Sequence, residues 1–194
     1  TFTPAGSGSV TAIPSTFEQA GLAYVITSAN TVTVTGRASG LATEITIPDA
    51  VTSNGTTYSV TTIGPAAFRN NALTSVTIPG SVETIATSAF RNNTLTSLTL
   101  PDSVTSIGED AFFNNNLASL TIGNGVTTIG DFAFAENDLI SLTLPDSVTT
   151  IGDFAFSGNA LTSVTLPDSV TTIGERAFYY NVLTSVTIPD SVTT

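Results

Sequence analysis

The chain of 194 residues offers few side chains able to take part in catalysis. It contains 15 Asp and Glu residues, four Tyr residues and no His or Cys, and its basic residues are four Arg: Arg37, Arg69, Arg91 and Arg176. The absence of imidazole, thiol and Lys amine excludes Ser–His and Cys–His nucleophilic pairs and Schiff-base chemistry. Zinc and transition metals also lose their usual nitrogen and sulfur ligands. Carboxylates are therefore the side chains that remain to be considered.

Eight of the carboxylates recur at intervals of 22 or 44 residues. They form two series: Asp102, Asp146, Asp168 and Asp190, and Glu109, Asp131, Asp153 and Glu175. Stacked carboxylates attract Ca²⁺, but Asp and Glu here also suit a turn or a helix start, and no D-x-D-x-D-G loop accompanies them. A glycosidase would need two carboxylates about 5–10 Å apart in a cleft, and an active site normally interrupts a repeat. We therefore predict no catalytic residues, no metal site and no cofactor.

A repeat of 22 residues explains this spacing. Its unit is L-T-S-[VL]-T-[IL]-P-D-S-V-T-T-I-G-[DE]-x-A-F-x-x-N-x, and its first residue recurs without insertion as Leu73, Leu95, Leu117, Leu139, Leu161 and Leu183. An earlier unit begins near Ala42 and contains an insertion of nine residues, TSNGTTYSV, whose last residue, Val60, opens the segment VTTIG with which the unit resumes. The Asn54-Gly55 pair in this insertion is a turn signal. The sequence thus contains six units and a final half unit.

Each unit is predicted to have a strand, a turn, a second apolar pair and a short helical turn. The segment LTSVTI alternates apolar residues with Ser and Thr, as in a strand with one buried face. Val170 and Ile173 represent the second apolar pair, and Ala155 and Phe156 represent the inward residues of the helical turn. One unit cannot bury these side chains, so identical units must stack into a solenoid. The Asn residues that close the units are predicted to form an internal ladder bonded to backbone groups: Asn71, Asn93, Asn115, Asn137, Asn159 and Asn181.

Charge and hydropathy exclude some partners. The formal net charge is −11, which argues against nucleic acid and anionic membrane surfaces, because both are bound by clustered Lys and Arg. No run of eighteen apolar residues is long enough to span a bilayer.

The repeated pattern L-x-x-[VL]-x-[IL], followed by P-x-x-V-x-x-I-G-x-x-A-F, resembles bacterial leucine-rich repeats of the BspA-like and Treponema pallidum type. The resemblance covers about residues 42–194. It implies a repeat solenoid with a parallel β-sheet on the concave side and short strands and helical turns on the convex side. It also implies a secreted or cell-surface binding protein rather than an enzyme. Relatives often carry Cys near the end of the unit where this chain has Asn, so we expect no redox or cross-linking role.

Three segments follow from these patterns. Residues 1–16, rich in Gly, Ser, Thr and Pro, are predicted to be a linker. Residues 17–41 resemble the β-hairpin that precedes such repeats and are predicted to cap the first one, with Ala23, Val25 and Ile26 in one strand and Val32 and Val34 in the next. Residues 42–194 form the repeats. The chain begins without a signal peptide and ends within a unit, so we expect it to be part of a longer protein.

The first candidate binding surface is the Ser- and Thr-lined face of the first strand, which the resemblance makes the concave side. Hydroxyl groups both donate and accept hydrogen bonds and suit a protein or glycan partner, although Thr is also a common residue on a solvated strand. A flat Thr array could bind ice, but the curvature of a solenoid argues against this. The predicted ligand-binding residues are Ser97, Thr99, Ser119, Thr121, Ser141, Thr143, Ser163 and Thr165.

The second candidate is an aromatic patch of Phe113, Tyr179 and Tyr180 in the variable part of the units, because exposed aromatic residues are good binding anchors. Two hypotheses remain open. The first is an extracellular or cell-surface, adhesin-like module that binds protein or glycan on a host or neighbouring cell. The second is a structural spacer or stalk segment that associates end to end through its exposed apolar termini.

Overall fold

The computed structural model describes residues 15–38 and 42–193, and these residues form sixteen β-strands and no helix. The predicted linker over 1–16 lies, as far as residue 14, outside the described residues. The strands in chain order are β1 (Thr16–Gln19), β2 (Leu22–Ile26), β3 (Thr31–Arg37), β4 (Glu44–Thr46), β5 (Ala50–Ser53), β6 (Thr56–Ile63), β7 (Ser75–Thr77), β8 (Thr84–Ile85), β9 (Ser97–Thr99), β10 (Ser106–Ile107), β11 (Ser119–Thr121), β12 (Thr128–Ile129), β13 (Ser141–Thr143), β14 (Thr150–Ile151), β15 (Ser163–Thr165) and β16 (Thr172–Ile173).

Each full unit contributes two short strands, so the repeats build two parallel columns. The VTTIG segments form one continuous sheet in the order β6-β8-β10-β12-β14-β16. Its register advances by one repeat at each step, for example from Ile107 to Ile129 to Ile151. The LTSVT strands instead pair two by two, as β4 with β7, β9 with β11 and β13 with β15. The continuous sheet is therefore built from the second segment of the unit rather than from the strand that the sequence pattern emphasises.

The N-terminal strands extend the continuous sheet. Strands β1, β2 and β3 form an antiparallel meander, and β3 pairs in parallel with β6. The nine-residue insertion lies in a second hairpin, β5–β6. Its turn residues Asn54 and Gly55 have φ values of 51° and 79°, which is the positive-φ pair that a tight two-residue hairpin turn requires. The turn predicted from Asn-Gly is confirmed.

The core consists of apolar ladders that run through successive repeats. The Leu residues from Leu73 to Leu161 that open the units are fully buried. The Phe rings stack on one another with centroid separations of 5.2–5.6 Å. Offset stacking of this kind stabilises aromatic pairs beyond their area burial. The Phe ladder contains Phe68, Phe90, Phe112, Phe134, Phe156 and Phe178.

The Asn residues that close the units connect adjacent repeats, as predicted. The side-chain amide of Asn137 donates to the carbonyl oxygens of Phe112 and Phe134, both at 3.1 Å. Its Oδ1 accepts from the backbone amide of Leu117 at 3.1 Å. The same pattern recurs at Asn115 and Asn159. Buried backbone groups are thus paired by a side chain where the chain turns away from the strand columns.

The predicted helical turns are tight turns instead. Ala155 donates its backbone N–H to Gly152 and Ser157 donates to Phe154, at 3.3 and 3.0 Å. Between these bonds, Phe154 has a φ of 55°, which an α-helix does not allow. Its N–H donates to the carbonyl of Glu175 in the following repeat at 2.9 Å. Bonds between repeats therefore replace bonds within a helix.

Candidate functional site

The hydroxyl face is the outer side of strands β7, β9, β11, β13 and β15. In a strand, successive side chains point to opposite faces, so the central Val or Leu points inward and the flanking Ser and Thr point outward. Leu98 is 3% exposed, for example, whereas Ser97 and Thr99 on either side of it are exposed. The eight predicted ligand-binding residues are all exposed: Ser97, Thr99, Ser119, Thr121, Ser141, Thr143, Ser163 and Thr165.

Pairing within the first-strand column aligns identical hydroxyl residues. Ser97 lies opposite Ser119, and Thr99 lies opposite Thr121. The β13–β15 pair repeats this arrangement with Ser141 opposite Ser163 and Thr143 opposite Thr165. Each of these two sheets therefore presents a block of two Ser and two Thr side chains.

Two clefts open on the hydroxyl face where neighbouring strands belong to different two-stranded sheets. One cleft of about 340 Å³ lies between β7 and β9, where Thr77, Thr99 and Pro101 contribute to its lining. The other, of about 370 Å³, lies between β11 and β13, where Thr121, Thr143 and Pro145 contribute. The alternation of paired and unpaired strands thus turns a regular face into one with two neutral clefts lined by hydroxyl and apolar groups.

The aromatic patch is part of a longer contact chain, which we call the aromatic stripe. The predicted residues Phe113, Tyr179 and Tyr180 are joined by residues from the intervening repeats. Successive contacts have centroid separations of 6.5 Å for Phe113–Phe132, 4.8 Å for Phe132–Phe154 and 4.3 Å for Tyr179–Tyr180. The stripe consists of Arg91, Phe113, Phe132, Phe154, Arg176, Tyr179 and Tyr180.

Two Arg side chains lie over rings of the stripe. The guanidinium carbon of Arg91 is 4.4 Å from the centroid of Phe113, and that of Arg176 is 5.7 Å from Phe154 and 5.8 Å from Tyr179. Arg91 also forms an ion pair with Asp110, and Arg176 forms one with Glu175 at 3.3 Å. The aromatic rings therefore already accept guanidinium groups from this chain.

The tyrosine pair at one end of the stripe is open to solvent. Tyr179 is 48% and Tyr180 is 74% exposed. The side-chain hydrogen bond between them raises the pKa of Tyr180 above its ordinary value of 10.0. The Tyr180 hydroxyl is thus neutral at physiological pH and available as a donor and acceptor.

The two acidic series have structural contacts. The Oδ1 atom of Asp131 accepts from the backbone amide of Asp153 at 2.9 Å, and that of Asp153 accepts from Glu175 at 2.7 Å. In the other series, Oδ1 of Asp102 accepts from the amide of Asn124 at 2.7 Å. Within residues 15–38 and 42–193, no group of three or more acidic side chains is arranged to hold a metal ion. These contacts give Asp102, Asp131 and Asp153 a structural role between neighbouring turns.

Sequence reasoning missed two features of these surfaces. The alternate pairing of the first strands has no signal in the sequence, because the units are almost identical. The positive φ values of the turn segment do have a signal, since Asn occupies one of the two affected positions in Asn70, Asn92 and Asn114. Asn tolerates this conformation better than most residues. Phe132 and Phe154 at the other position obscured the pattern.

Comparison with known protein families shows to which family this chain is related. The model of the BspA type leucine rich repeat region matches six copies, over residues 37–142, 61–180 and 127–194. These ranges cover most of the chain. The chain belongs to the BspA-type leucine-rich repeat family.

Solved leucine-rich repeat proteins share this fold. A leucine rich cell surface protein from Faecalibacterium prausnitzii is 32% identical, with a TM-score of 0.66 over 90% of this chain and 55% of that protein. A leucine-rich repeat protein from Bacteroides ovatus is 27% identical, with a TM-score of 0.66 over 91% of this chain and 54% of that one. The leucine rich repeat protein of T. pallidum is 25% identical, with a TM-score of 0.51 over 82% of this chain and 64% of its own length.

The chain spans about half the length of the first two of these proteins. No curated protein sequence gave a significant match. Among the described residues, no helix has the length and apolar character needed to cross a membrane. The family thus establishes a bacterial leucine-rich repeat of the surface-protein type, which serves as a binding or structural module.

Proposed function

We propose that this BspA-type repeat is a non-enzymatic, adhesin-like binding module that recognises protein or glycan through its hydroxyl face. The observation that carries the proposal is the set of exposed Ser and Thr side chains on the first strands, interrupted by two clefts. Hydroxyl groups around a cleft provide several convergent donors and acceptors. Neutral apolar lining between them suits a partner with alternating polar and apolar groups.

The proposed location is the cell surface or the extracellular space. The F. prausnitzii relative is described as a cell surface protein. The absence of Cys in this chain means that its stability needs no disulfide in either a reducing or an oxidising environment. A surface location places the hydroxyl face within reach of partners on a host or neighbouring cell.

The test is saturable binding to extracellular-matrix proteins, host cells and a glycan array. The test variant carries Thr99→Lys, Thr121→Lys, Thr143→Lys and Thr165→Lys, which fills the hydroxyl face with long charged side chains. Exposed strand positions tolerate such changes at a cost of about 0.5 kcal/mol each or less. We expect the parent to bind at least one of these partners and the variant to lose that binding by more than about tenfold, since bulk and charge block a neutral surface.

A matched variant controls for added charge. It carries Thr105→Lys, Thr127→Lys, Thr149→Lys and Thr171→Lys, at exposed positions that precede the strands of the continuous sheet. It gains the same charge as the test variant and should retain binding. Circular dichroism and urea unfolding check both folds, because these Thr hydroxyls donate to carbonyls of the preceding repeat, as in Thr127 to Thr105 at 3.1 Å. Equal loss in both variants, or a parent that binds no partner, would contradict the proposal.

The alternative function is a structural spacer that associates end to end. Its supporting observation is that Val186 and Ile188, in the last described repeat, are 36% and 53% exposed. The equivalent of Ile188 in the preceding repeat, Leu166, is 8% exposed because a further repeat covers it. Sedimentation velocity distinguishes this function: a concentration-dependent increase in mass, without a saturable partner, favours the spacer.

A further inference from the structure

Three aromatic residues of the stripe occupy backbone positions that disfavour them. Phe132 and Phe154 have φ values of 55°, and Tyr180 has a φ of 50°. A left-handed conformation is costly for bulky residues and is usually taken by Gly or Asn. Stacking at 4.8 Å offsets this cost for the two Phe residues. Tyr180 remains 74% exposed, so packing within the chain offsets little of its cost.

Exposed carboxylates lie next to residues of the aromatic stripe in the sequence. Asp131, Asp153 and Glu175 immediately precede its residues Phe132, Phe154 and Arg176, and all three are exposed. Glu136, also exposed, occupies the position that Tyr180 has two repeats later. The guanidinium groups of Arg91 and Arg176 are engaged by Asp110 and Glu175. Asp131, Asp153 and Glu136 therefore leave a negative potential beside the exposed aromatic surface.

We propose that the aromatic stripe is a docking surface for a basic segment of a partner protein. Charge complementarity argues for this occupant, because Lys and Arg heads would be attracted by Asp131, Asp153 and Glu136. Their aliphatic stems would cover the edges of the stacked Phe132 and Phe154 rings.

The open ring of Tyr180 provides a face for a further cation. The cation–π contacts made by Arg91 and Arg176 demonstrate this preference within the chain. A neutral glycan would donate hydroxyl hydrogen bonds to the carboxylates but would leave their charge uncompensated, and an acidic partner would be repelled by them. The basic segment is therefore the occupant that uses the rings and the charges together.

The stripe and the hydroxyl face consist of different residues, so either can fail without the other. The stripe is built from the turn segments, whereas the hydroxyl face is built from the first strands. Lys substitutions at Thr99, Thr121, Thr143 and Thr165 should leave binding at the stripe intact. Loss at one surface is thus distinguishable from loss at the other.

The test uses the full chain and a synthetic peptide of alternating Arg and Ala residues, with a Glu-Ala peptide as the acidic counterpart. Binding is measured by fluorescence anisotropy at about 0.15 M salt, where weak interactions between distant exposed charges are screened. The first variant, Tyr179→Ser with Tyr180→Asn, removes the open rings without changing charge. Ser157 and Asn114 occupy the equivalent positions in other repeats, and Asn suits the positive φ, so this variant should fold. We expect its Kd for the Arg-Ala peptide to rise about tenfold.

A pair of charge variants separates the stripe from general electrostatic attraction. Asp131→Asn with Asp153→Asn removes two charges beside the stripe and keeps the Oδ1 acceptor of each side chain. Asp146→Asn with Asp168→Asn removes two exposed charges from the turns between the strand columns. The first pair should raise the Kd about tenfold and the second less than about twofold. An equal effect of both pairs, unchanged affinity after the Tyr substitutions, or preference for the Glu-Ala peptide or a neutral glycan would overturn the proposal.

Discussion

At the scale of single residues, Tyr24 shows how burial sets the behaviour of an ionisable group. Its ring is fully buried in β2 and lies 5.4 Å from Phe17, and its hydroxyl has no hydrogen-bond partner. An unsatisfied buried hydroxyl costs about 1–3 kcal/mol. Burial also raises the pKa of Tyr24 from 10.0 to about 12, because the charged phenolate would lose its hydration.

The substitution Tyr24→Phe is therefore expected to raise the free energy of unfolding at pH 7 by about 1 kcal/mol. In the parent, the raised pKa means that the unfolded chain loses the Tyr24 proton first. Stability is fully present below pH 10 and falls between pH 10 and about 12, by roughly 2–3 kcal/mol. The variant should lack this part of the alkaline loss. Urea unfolding at pH 7 and at intervals up to pH 11.5 measures both effects.

Tyr58 provides the comparison for this prediction. Its ring is only partly buried and lies 6.3 Å from Phe17. Tyr58→Phe should leave the free energy of unfolding at pH 7 within about 0.5 kcal/mol of the parent and should keep the alkaline loss. If Tyr24→Phe were destabilising at pH 7, its hydroxyl would have to be satisfied in solution.

At the scale of the repeat element, the buried Asn ladder is expected to contribute more to the free energy of unfolding than exposed Asn side chains do. Asn137→Ala leaves the carbonyls of Phe112 and Phe134 and the amide of Leu117 without their side-chain partner. Asn137 is only 7% exposed, so water cannot readily replace it. We expect a loss of about 3 kcal/mol in the free energy of unfolding, measured by urea titration.

The neighbouring Asn116→Ala variant tests whether burial is the cause. The Asn116 amide contacts Asp138 at 3.5 Å in an exposed position. Its removal should change stability by less than about 0.5 kcal/mol. Similar losses in the two variants would show that the ladder stabilises the chain by some means other than the pairing of buried backbone groups.

The elements also show what sequence can and cannot predict here. The 22-residue period, the Asn54-Gly55 hairpin and the Asn ladder follow from local patterns with a direct physical cause. The turn segments were predicted as helical because Asp153 and its equivalents suit a helix start. The positive φ values of Phe132 and Phe154 exclude a helix there, and the two rings stack on each other between repeats. The sequence placed Ala23 and Val25 in a strand but did not indicate the buried face of β2, which Leu22 and Tyr24 form.

The residues of the candidate surfaces were predictable from the sequence, but the shapes of these surfaces were not. Exposure of the Ser and Thr residues follows from alternation in a strand, so the hydroxyl face could be located in advance. The clefts depend on which neighbouring strands pair, and near-identical units give no basis for that choice. The continuity of the aromatic stripe depends on contacts between residues 19 to 22 positions apart, which only the stacking of repeats establishes.

At the scale of the whole molecule, the fold is a linear array in which each repeat contacts its neighbours. Backbone bonds link equivalent turns one repeat apart, as from Phe134 to Ala155 and from Phe156 to Ala177, both at 2.8 Å. Stability is then approximately a sum of repeat and interface contributions. Deleting residues 139–160 removes one complete unit and joins Asp138 to Leu161, so Phe134 would stack on Phe178 as it now stacks on Phe156.

This deletion should give a folded, shorter solenoid. Its circular dichroism per residue should match the parent, and its urea m-value should fall by about 11%, the share that 22 of 194 residues contribute to the surface exposed on unfolding. Deleting residues 139–149 is the control. The loss of half a unit moves every later side chain out of register with the ladder to which it belongs. We expect that shorter deletion to lose cooperative unfolding even though it removes fewer residues. If both deletions unfolded alike, stability would reside in contacts other than the ladders between equivalent positions.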